Sequence, residues 1–240
     1  MKKIIITGGS GRFGSYLKKH KTNHKLLFPT KKQFNILNIK KMTNYIKKTK
    51  PNILIHLAGL SRPMKIHEKD VNKSIDLNII GTSNVTKICL QKKIKLIYFS
   101  TNYVYPGKKG NYKEHDSLLP VNNYAWSKLG GEAAVQLYKN SLILRVCMTE
   151  KPFVHKKAFK NVKTSFMYHD EVVPILFKIL NKRGILNLGG KPKSIYDFAK
   201  KENKYVKKIF LGKRQKLGMP FNSTMNLSKL NLIIKKKKLN

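Results

Sequence analysis

Short aliphatic runs alternate along this chain with longer stretches whose apolar residues recur at helical spacing. Ile4-Ile5-Ile6 reads as a first strand and Ser15 to His20 as the start of a helix, and Lys25 to Phe28 reads as a second strand closed by Pro29. Met42, Tyr45 and Ile46 mark a helix from about Lys40 to Lys48, and Ile53 to Leu57 reads as a third strand. Ile79, Ile80, Val85, Ile88 and Cys89 then fall at helical intervals between Asn78 and Leu90. Lys95 to Phe99 is a fourth strand, and a polar loop from Asn102 to Asn123 leads to a helix near Ala125 to Tyr138 and a strand from Leu142 to Val146. Alternation of this kind builds parallel βαβ units, so the predicted fold class is α/β with a doubly wound parallel sheet. Beyond Val146 the pattern is less regular. Helices near Glu171 to Leu180 and Ser194 to Asn203 flank a strand-like Ile185 to Leu188, which suggests a small C-terminal lobe.

The first strand runs straight into Thr7-Gly8-Gly9-Ser10-Gly11-Arg12-Phe13-Gly14, with Gly8, Gly11 and Gly14 three apart. A first glycine there permits the tight turn out of the strand. The second lets backbone N–H groups approach a pyrophosphate at the helix N-terminus, and the third lets helix and sheet pack closely. This context predicts a Rossmann-type NAD(P)-binding domain over residues 1–147. Residues 148–240 are expected to form the smaller substrate lobe, interleaved with late elements of the sheet. Selection of NAD commonly uses a carboxylate after the second strand, and no acidic residue precedes Glu68. Thr30, Lys31, Lys32 and Arg12 offer donors and positive charge to a 2′-phosphate instead. The expected cofactor is therefore NADP, with NAD as the alternative.

Asn123-Tyr124-Ala125-Trp126-Ser127-Lys128 places Tyr124 and Lys128 four apart, on one face of a helix. A tyrosine has a pKa near 10 by itself, and a nearby ammonium favours the phenolate and brings proton transfer closer to neutral pH. In a lysine-rich chain this pair can arise by chance. It gains weight from its place, one loop after a strand that ends in Ser100-Thr101.

These features, in this order, resemble the extended branch of the short-chain dehydrogenase/reductase superfamily. His56-Leu57-Ala58-Gly59-Leu60 is similar to that branch's segment beneath the adenosine and nicotinamide ribose, and Asn78-Ile79-Ile80-Gly81 to its Asn-bearing support helix. Thr101-Asn102-Tyr103-Val104-Tyr105-Pro106-Gly107, Tyr112-Lys113-Glu114, Asn187-Leu188-Gly189-Gly190 and Met219-Pro220-Phe221-Asn222 resemble the dTDP-4-dehydrorhamnose reductases, the RmlD-type sugar-nucleotide reductases. The resemblance implies an NAD(P)H-dependent reductase of a nucleotide-linked 4-keto-6-deoxy sugar, with Thr101, Tyr124 and Lys128 as catalytic residues. It implies a cofactor site of Gly8, Ser10, Gly11, Arg12, Phe13, Gly14, Thr30, Lys31, Asn35, Ile36, Leu57, Ala58, Gly59, Tyr124 and Lys128. Substrate contacts are expected from Ser100, Thr101, Asn102 and Tyr103. Two other readings stay open: an epimerase or dehydratase of the same superfamily, and a non-catalytic dinucleotide-binding regulatory subunit. The chain departs from the family at Asn102 and Asn35, where Asp is usual, and at Met148, where Trp is usual. Tyr16 stands where metal-assisted members carry an acid, so no metal is expected. The resemblance also allows a homodimer.

Composition adds one oddity. The 240 residues carry 51 Lys plus Arg against 11 Asp plus Glu, a net charge of +40. Only five of the basic residues are arginine: Arg12, Arg62, Arg145, Arg183 and Arg214. Base and phosphate recognition favours the bidentate arginine fork, and these lysines are spread through every segment. A lysine bias over an ordinary enzyme is thus expected, with no specific nucleic-acid partner. The tail Lys235 to Lys238 is the stretch suited to weak attraction by acidic surfaces. Cys89 and Cys147 lie in apolar runs and read as core residues, and the seven histidines show no paired ligand spacing. The apolar run after Met1-Lys2-Lys3 is too short for a signal peptide or membrane span, so the expected location is cytoplasmic.

Overall fold

The computed structural model describes residues 1–212 and 218–236. Arg214 and, from the basic tail, Lys237 and Lys238 lie outside the described residues. The chain divides into two compact units. The first comprises Met1–Ser100, Trp126–Leu144 and Asn181–Ile185, and the second Thr101–Ala125, Arg145–Leu180 and Leu186–Asn240.

Elements run in the order β1 (Lys3–Thr7), α1 (Arg12–Lys19), β2 (Lys25–Leu27), α2 (Ile39–Thr49) and β3 (Ile53–His56). Short helices α3 (Ile66–Lys69) and α4 (Val71–Ser74), a π-helical turn over Ile75–Ile80 and α5 (Gly81–Gln91) precede β4 (Lys95–Thr101). Then come α6 (Asn123–Gln136), β5 (Ser141–Val146), β6 (Met148–Thr149), β7 (Lys157–Phe159), β8 (Lys163–Thr164) and β9 (Met167–Tyr168). The chain continues with α7 (His169–Ile179), β10 (Gly184–Leu188), β11 (Lys193–Ser194), α8 (Ile195–Ala199), β12 (Lys207–Ile209) and α9 (Ser228–Lys236).

The main sheet has six strands in the order β10-β5-β4-β3-β1-β2. β1 pairs in parallel with β2 (Ile5 opposite Leu27) and with β3 (Ile5 opposite Leu54), and β3 pairs in parallel with β4 (Ile55 opposite Ile97). Parallel strands are covered on both faces, which is why Ile4-Ile5-Ile6 and Ile53-Leu54-Ile55 are unbroken apolar runs. Ile5, Leu54, Leu96 and Ile143 pack with Met42 and Ile46 of α2 and Val85 and Ile88 of α5. Burying such a side chain stabilises the fold by about 1.5–3 kcal/mol. Asn38 caps α2, its side chain accepting the Lys41 N–H at 2.9 Å. The sheet thus has the doubly wound parallel arrangement that the alternating pattern predicts. The strand-like Ile185 to Leu188, which the sequence associates with the C-terminal lobe, is the outer strand β10 of this sheet.

The second unit is built of short pieces. Two-residue strands pair as β6 with β9 and β8 with β11, and β7 pairs with β12 over three residues. Phe153, Val162, Ile195, Ala199, Val206 and Leu211 form its core. No described helix is long and apolar enough to cross a membrane.

Candidate active site

Because β2 and β3 lie on opposite sides of β1, the loops at the C-terminal ends of β1 and β3 open at the point where strand order reverses. Open parallel sheets bind ligands there. Gly8 has φ +69°, and a Cβ on it would stand 2.7 Å from the Ala58 backbone nitrogen. Only glycine therefore lets the β1 loop lie against Leu57 and Ala58. At Gly14 a Cβ would meet the Gly9 carbonyl oxygen at 2.6 Å, so the first turn of α1 closes on the loop before it. Gly11 donates its N–H to the Gly8 carbonyl at 2.9 Å and begins α1, whose N-terminus has no side-chain cap and no acid in its first turn. An uncapped N-terminus behind a loop in which Gly8 and Gly14 admit no Cβ fits a dinucleotide pyrophosphate. Ser10 and Arg12 are exposed on this loop, whereas Phe13 is buried with its ring 5.3 Å from that of Phe99. Phe13 and Ile36 thus stand in the core rather than on an open surface.

A buried chain of hydrogen bonds supports the loops. The Thr7 hydroxyl accepts the N–H groups of Leu57 and Ala58 at 3.2 and 3.1 Å, which uses both lone pairs. Its proton therefore goes to His56 Nδ1, 2.9 Å away, and His56 donates from Nε2 to Thr82 at 3.1 Å. Burial first, and then the charge of Lys128, push the His56 pKa down to about 3. His56 is a neutral structural residue.

Asn78 lies in the π-helical turn, at the start of the helix expected from Asn78, which α4 and this turn extend back to Val71. Its carboxamide is fully used. Oδ1 accepts the Leu60 N–H at 2.7 Å, and Nδ2 donates to the Leu60 carbonyl at 2.9 Å and to Ser127 Oγ at 2.8 Å. Gly59 makes this approach feasible, since a Cβ there would meet Asn78 Oδ1 at 2.7 Å. Gly131 does the same for α6, where a Cβ would stand 2.4 Å from the Asn78 carbonyl oxygen and 2.8 Å from the Tyr98 hydroxyl. Glycine inside a helix costs about 1 kcal/mol relative to alanine; here it lets α6 lie against the turn and β4.

Lys128 is held by that packing. Its Nζ sits 4.2 Å from the centroid of the Tyr98 ring, while the Tyr98 hydroxyl donates to the Lys128 carbonyl at 3.0 Å. Burial lowers the Lys128 pKa from its ordinary 10.5 to about 7, and the Glu132 carboxylate pulls the other way. One turn further along α6, the buried Glu132 accepts the Ser100 hydroxyl at 2.5 Å. Ser100, expected at the substrate, spends its proton on Glu132. The sequence reading assigned Glu132 no role, although it lies four residues beyond Lys128 and is one of only 11 acids in the chain.

In the second unit, Thr101 is buried and its Oγ1 accepts the Tyr103 N–H at 3.3 Å, which leaves the hydroxyl proton available to a ligand. The Tyr103 and Tyr124 rings meet edge-on, with centroids 6.5 Å apart. Asn102, placed at the substrate by the resemblance, is buried, and its Nδ2 donates to Ser223 Oγ at 2.9 Å and Thr164 Oγ1 at 3.2 Å. An amide provides that donor where an aspartate would have none. Along β4 the first unit ends at Ser100 and the second begins at Thr101; within α6, Tyr124 belongs to the second unit and Lys128 to the first.

Thr30, Lys31 and Lys32, expected at the cofactor, are exposed after β2. The Thr30 N–H donates to the Gln33 side chain at 2.9 Å, and Asn35 accepts the Leu37 N–H at 3.0 Å. Trp126 is half exposed on α6. Among the described residues, no three His, Cys, Asp or Glu side chains come together as metal ligands.

A glycine-looped parallel sheet followed by a Tyr-x-x-x-Lys helix defines a protein of the extended short-chain dehydrogenase/reductase class. Within that class, the chain belongs to the family described as the RmlD substrate binding domain, which matches residues 1–162. It is 28% identical over 233 residues to dTDP-D-glucose 4,6-dehydratase of Dictyostelium discoideum, covering 80% of this chain and 51% of that protein. It is 30% identical over 155 residues to methionine adenosyltransferase 2 subunit beta of Xenopus laevis, covering 60% of this chain and 46% of that protein. The chain spans about half the length of the curated relatives it matches. Its fold is similar to that of dTDP-4-dehydrorhamnose reductase from Bacillus anthracis, solved in complex with NADP. That likeness has a TM-score of 0.84 at 23% identity and covers 96% of this chain and 91% of that one.

Proposed function

We propose that this chain is an NADPH-dependent reductase acting on a nucleotide-linked 4-keto-6-deoxy sugar. The observation that carries this reading is Lys128, held over the Tyr98 ring one helical turn from Tyr124, with the Asn78 and Glu132 bonds fixing the helix that bears both. The complex of the Bacillus anthracis reductase with NADP supports the choice of cofactor.

When bound, the dinucleotide supplies a hydride to the ketone carbon of the sugar. The Thr101 hydroxyl donates to the carbonyl oxygen and polarises it. The Tyr124 hydroxyl passes its proton to the oxygen as it becomes an alkoxide. Lys128, in its ammonium form, holds the ribose hydroxyls and stabilises the Tyr124 phenolate that remains. The Gly8, Gly11 and Gly14 loop receives the pyrophosphate, and Lys31 with Arg12 faces the 2′-phosphate.

The test is incubation with NADPH and a panel of nucleotide-linked 4-keto-6-deoxy sugars, following the absorbance of the reduced cofactor. Consumption of one NADPH per sugar reduced is expected. A second reading, a non-catalytic dinucleotide-binding subunit, draws on the likeness to methionine adenosyltransferase 2 subunit beta and on the internal commitment of Asn102. Tight cofactor binding with no turnover of any sugar would favour it. Turnover without net cofactor consumption would favour an epimerase or dehydratase.

A further inference from the structure

Lys95 opens β4 at the edge of the first unit's sheet opposite the Gly8 loop, where the parallel strands begin. β4 takes six residue steps from Lys95 to Thr101, so the two lie about 20 Å apart at the ordinary strand rise. Lys95 is only 9% exposed, and among the described residues its Nζ has no hydrogen-bond partner. A buried ammonium is costly unless an acceptor or an opposite charge meets it.

The side-chain acceptors along this edge serve other donors. The Lys95 N–H donates to the Asn52 carbonyl at 3.2 Å and the Leu96 N–H to the Asn140 carbonyl at 3.1 Å, so these two asparagines flank Lys95. Asn52 Oδ1 accepts the Lys3 N–H at 2.8 Å, Asn140 Oδ1 accepts Arg183 Nε–H at 3.2 Å, and Asn181 Oδ1 accepts from Lys2 Nζ. Burial, and then the charges of Arg183 and Lys2, lower the Lys95 pKa to about 8, and no carboxylate among the described residues pulls the other way. All of these residues belong to the first unit. A lysine bias accounts for cations spread over a surface. It does not account for a buried one under the charge of two others.

We propose that this edge of the sheet binds a phosphate group, one oxygen on the Lys95 ammonium and the others on Lys2 and the Arg183 guanidinium. A phosphate monoester carries about −1.5 to −2 charges at neutral pH, which suits three cations better than the single charge of a carboxylate. The guanidinium fork matches its oxygens. The bonds of Lys2 to Asn181 and of Arg183 to Asn140 are exposed to water, so an anion exchanges for them without disturbing the core. The group has two sources, free inorganic phosphate or a small phosphate ester, and the chemistry of recognition is the same for both. The site is separate from the glycine loop, and the inference stands without the reductase reading.

Isothermal titration of the full chain with inorganic phosphate, at physiological salt to screen the general positive charge, tests the proposal. Saturable binding is expected, at least tenfold tighter than that of acetate. Lys95→Met should abolish it, and Arg183→Gln and Lys2→Gln should each weaken it several-fold. The exposed Lys92→Met removes the same unit of charge elsewhere and should leave it unchanged. Melting temperatures give a second readout: phosphate should raise that of the parent, whereas Lys95→Met should melt no lower than the parent without phosphate and no higher with it. Tighter binding of glycerol 3-phosphate assigns the site to an ester, and tighter binding of inorganic phosphate assigns it to the free ion. No saturable binding, an affinity unchanged in Lys95→Met, an equal loss in Lys92→Met, or displacement of phosphate by NADP overturns the proposal. Failure to bind NADP, with phosphate binding intact, would break the reductase reading and leave this one standing.

Discussion

The loop after β2 and the surroundings of α6 are both polar parts of the first unit, and they are built in opposite ways. After β2 the polar groups are exposed and bond within a few residues, Thr30 with Gln33 and Asn35 with Leu37. Around α6 they are buried and bond across the sequence, Asn78 with Ser127 and Ser100 with Glu132. Exposed turn residues usually change stability by no more than about 0.5 kcal/mol when replaced. Removing one partner from a buried bond strands the other, at about 1–3 kcal/mol. The contrast separates two tasks. The proposed contact for cofactor preference lies where residues can change freely, and the proposed proton transfer lies on a helix held by buried bonds.

The sharpest test of that division is Tyr124→Phe. It removes only a hydroxyl used as the carbonyl becomes an alkoxide, so turnover should fall by about 100- to 10,000-fold. Cofactor affinity, read by fluorescence titration, should stay as it was. Near-normal turnover of an identified keto-sugar would end the proposed mechanism.

Lys128→Met should lower turnover and weaken the cofactor together, and its pH signature separates it from a packing defect. In the free protein the Lys128 ammonium is present below about pH 7 and lost above it. Cofactor affinity should therefore fall as pH rises through 7, and that pH step should vanish in Lys128→Met. Stability has the opposite slope. Between about 7 and the ordinary 10.5 the unfolded chain holds this proton and the folded chain does not, so the contribution of Lys128 to stability rises with pH in that window. Titrations across this range with both proteins check both signs.

Asn78→Ala probes the buried network with no direct loss of a reacting group. It strands the Leu60 N–H and carbonyl together with Ser127, and should destabilise the fold by about 1–3 kcal/mol. A denaturant midpoint within error of the parent would show that water replaces the carboxamide at no cost. The smallest effect is expected in the β2 loop. Lys31→Glu should shift preference from NADPH toward NADH by about fivefold, the scale of one exposed charge pair near 1 kcal/mol, with the melting temperature unchanged. An unchanged ratio of the two dissociation constants would move the 2′-phosphate contact away from Lys31.

Much of the first unit was legible without coordinates. Parallel strands covered on both faces must be apolar throughout, so Ile4-Ile5-Ile6 and Ile53-Leu54-Ile55 announce themselves. Gly8 and Gly14 stand where a Cβ would strike Ala58 and Gly9 respectively. The second unit was less readable because strands such as β6, β8 and β11 have two residues each, too few for a period to show. Ser100 and Asn102 illustrate a different limit. Both sit in the motif expected to face substrate, and local sequence carries no sign that Glu132, Thr164 and Ser223 take up their hydrogen bonds.

By itself the sequence determined the order of strands and helices, the glycine loop and the four-residue spacing of Tyr124 and Lys128, since each depends on residues close together along the chain. Tertiary structure alone decided that Lys128 sits against Tyr98 with its pKa near 7, that Asn78 ties the β3 loop to α6, and that Phe166, Tyr168 and Phe198 share a cavity with four lysines. Burial and hydrogen-bond partners belong to the packed arrangement. Segments dozens of residues apart must meet before a lysine loses its water or a tyrosine hydroxyl loses its last acceptor.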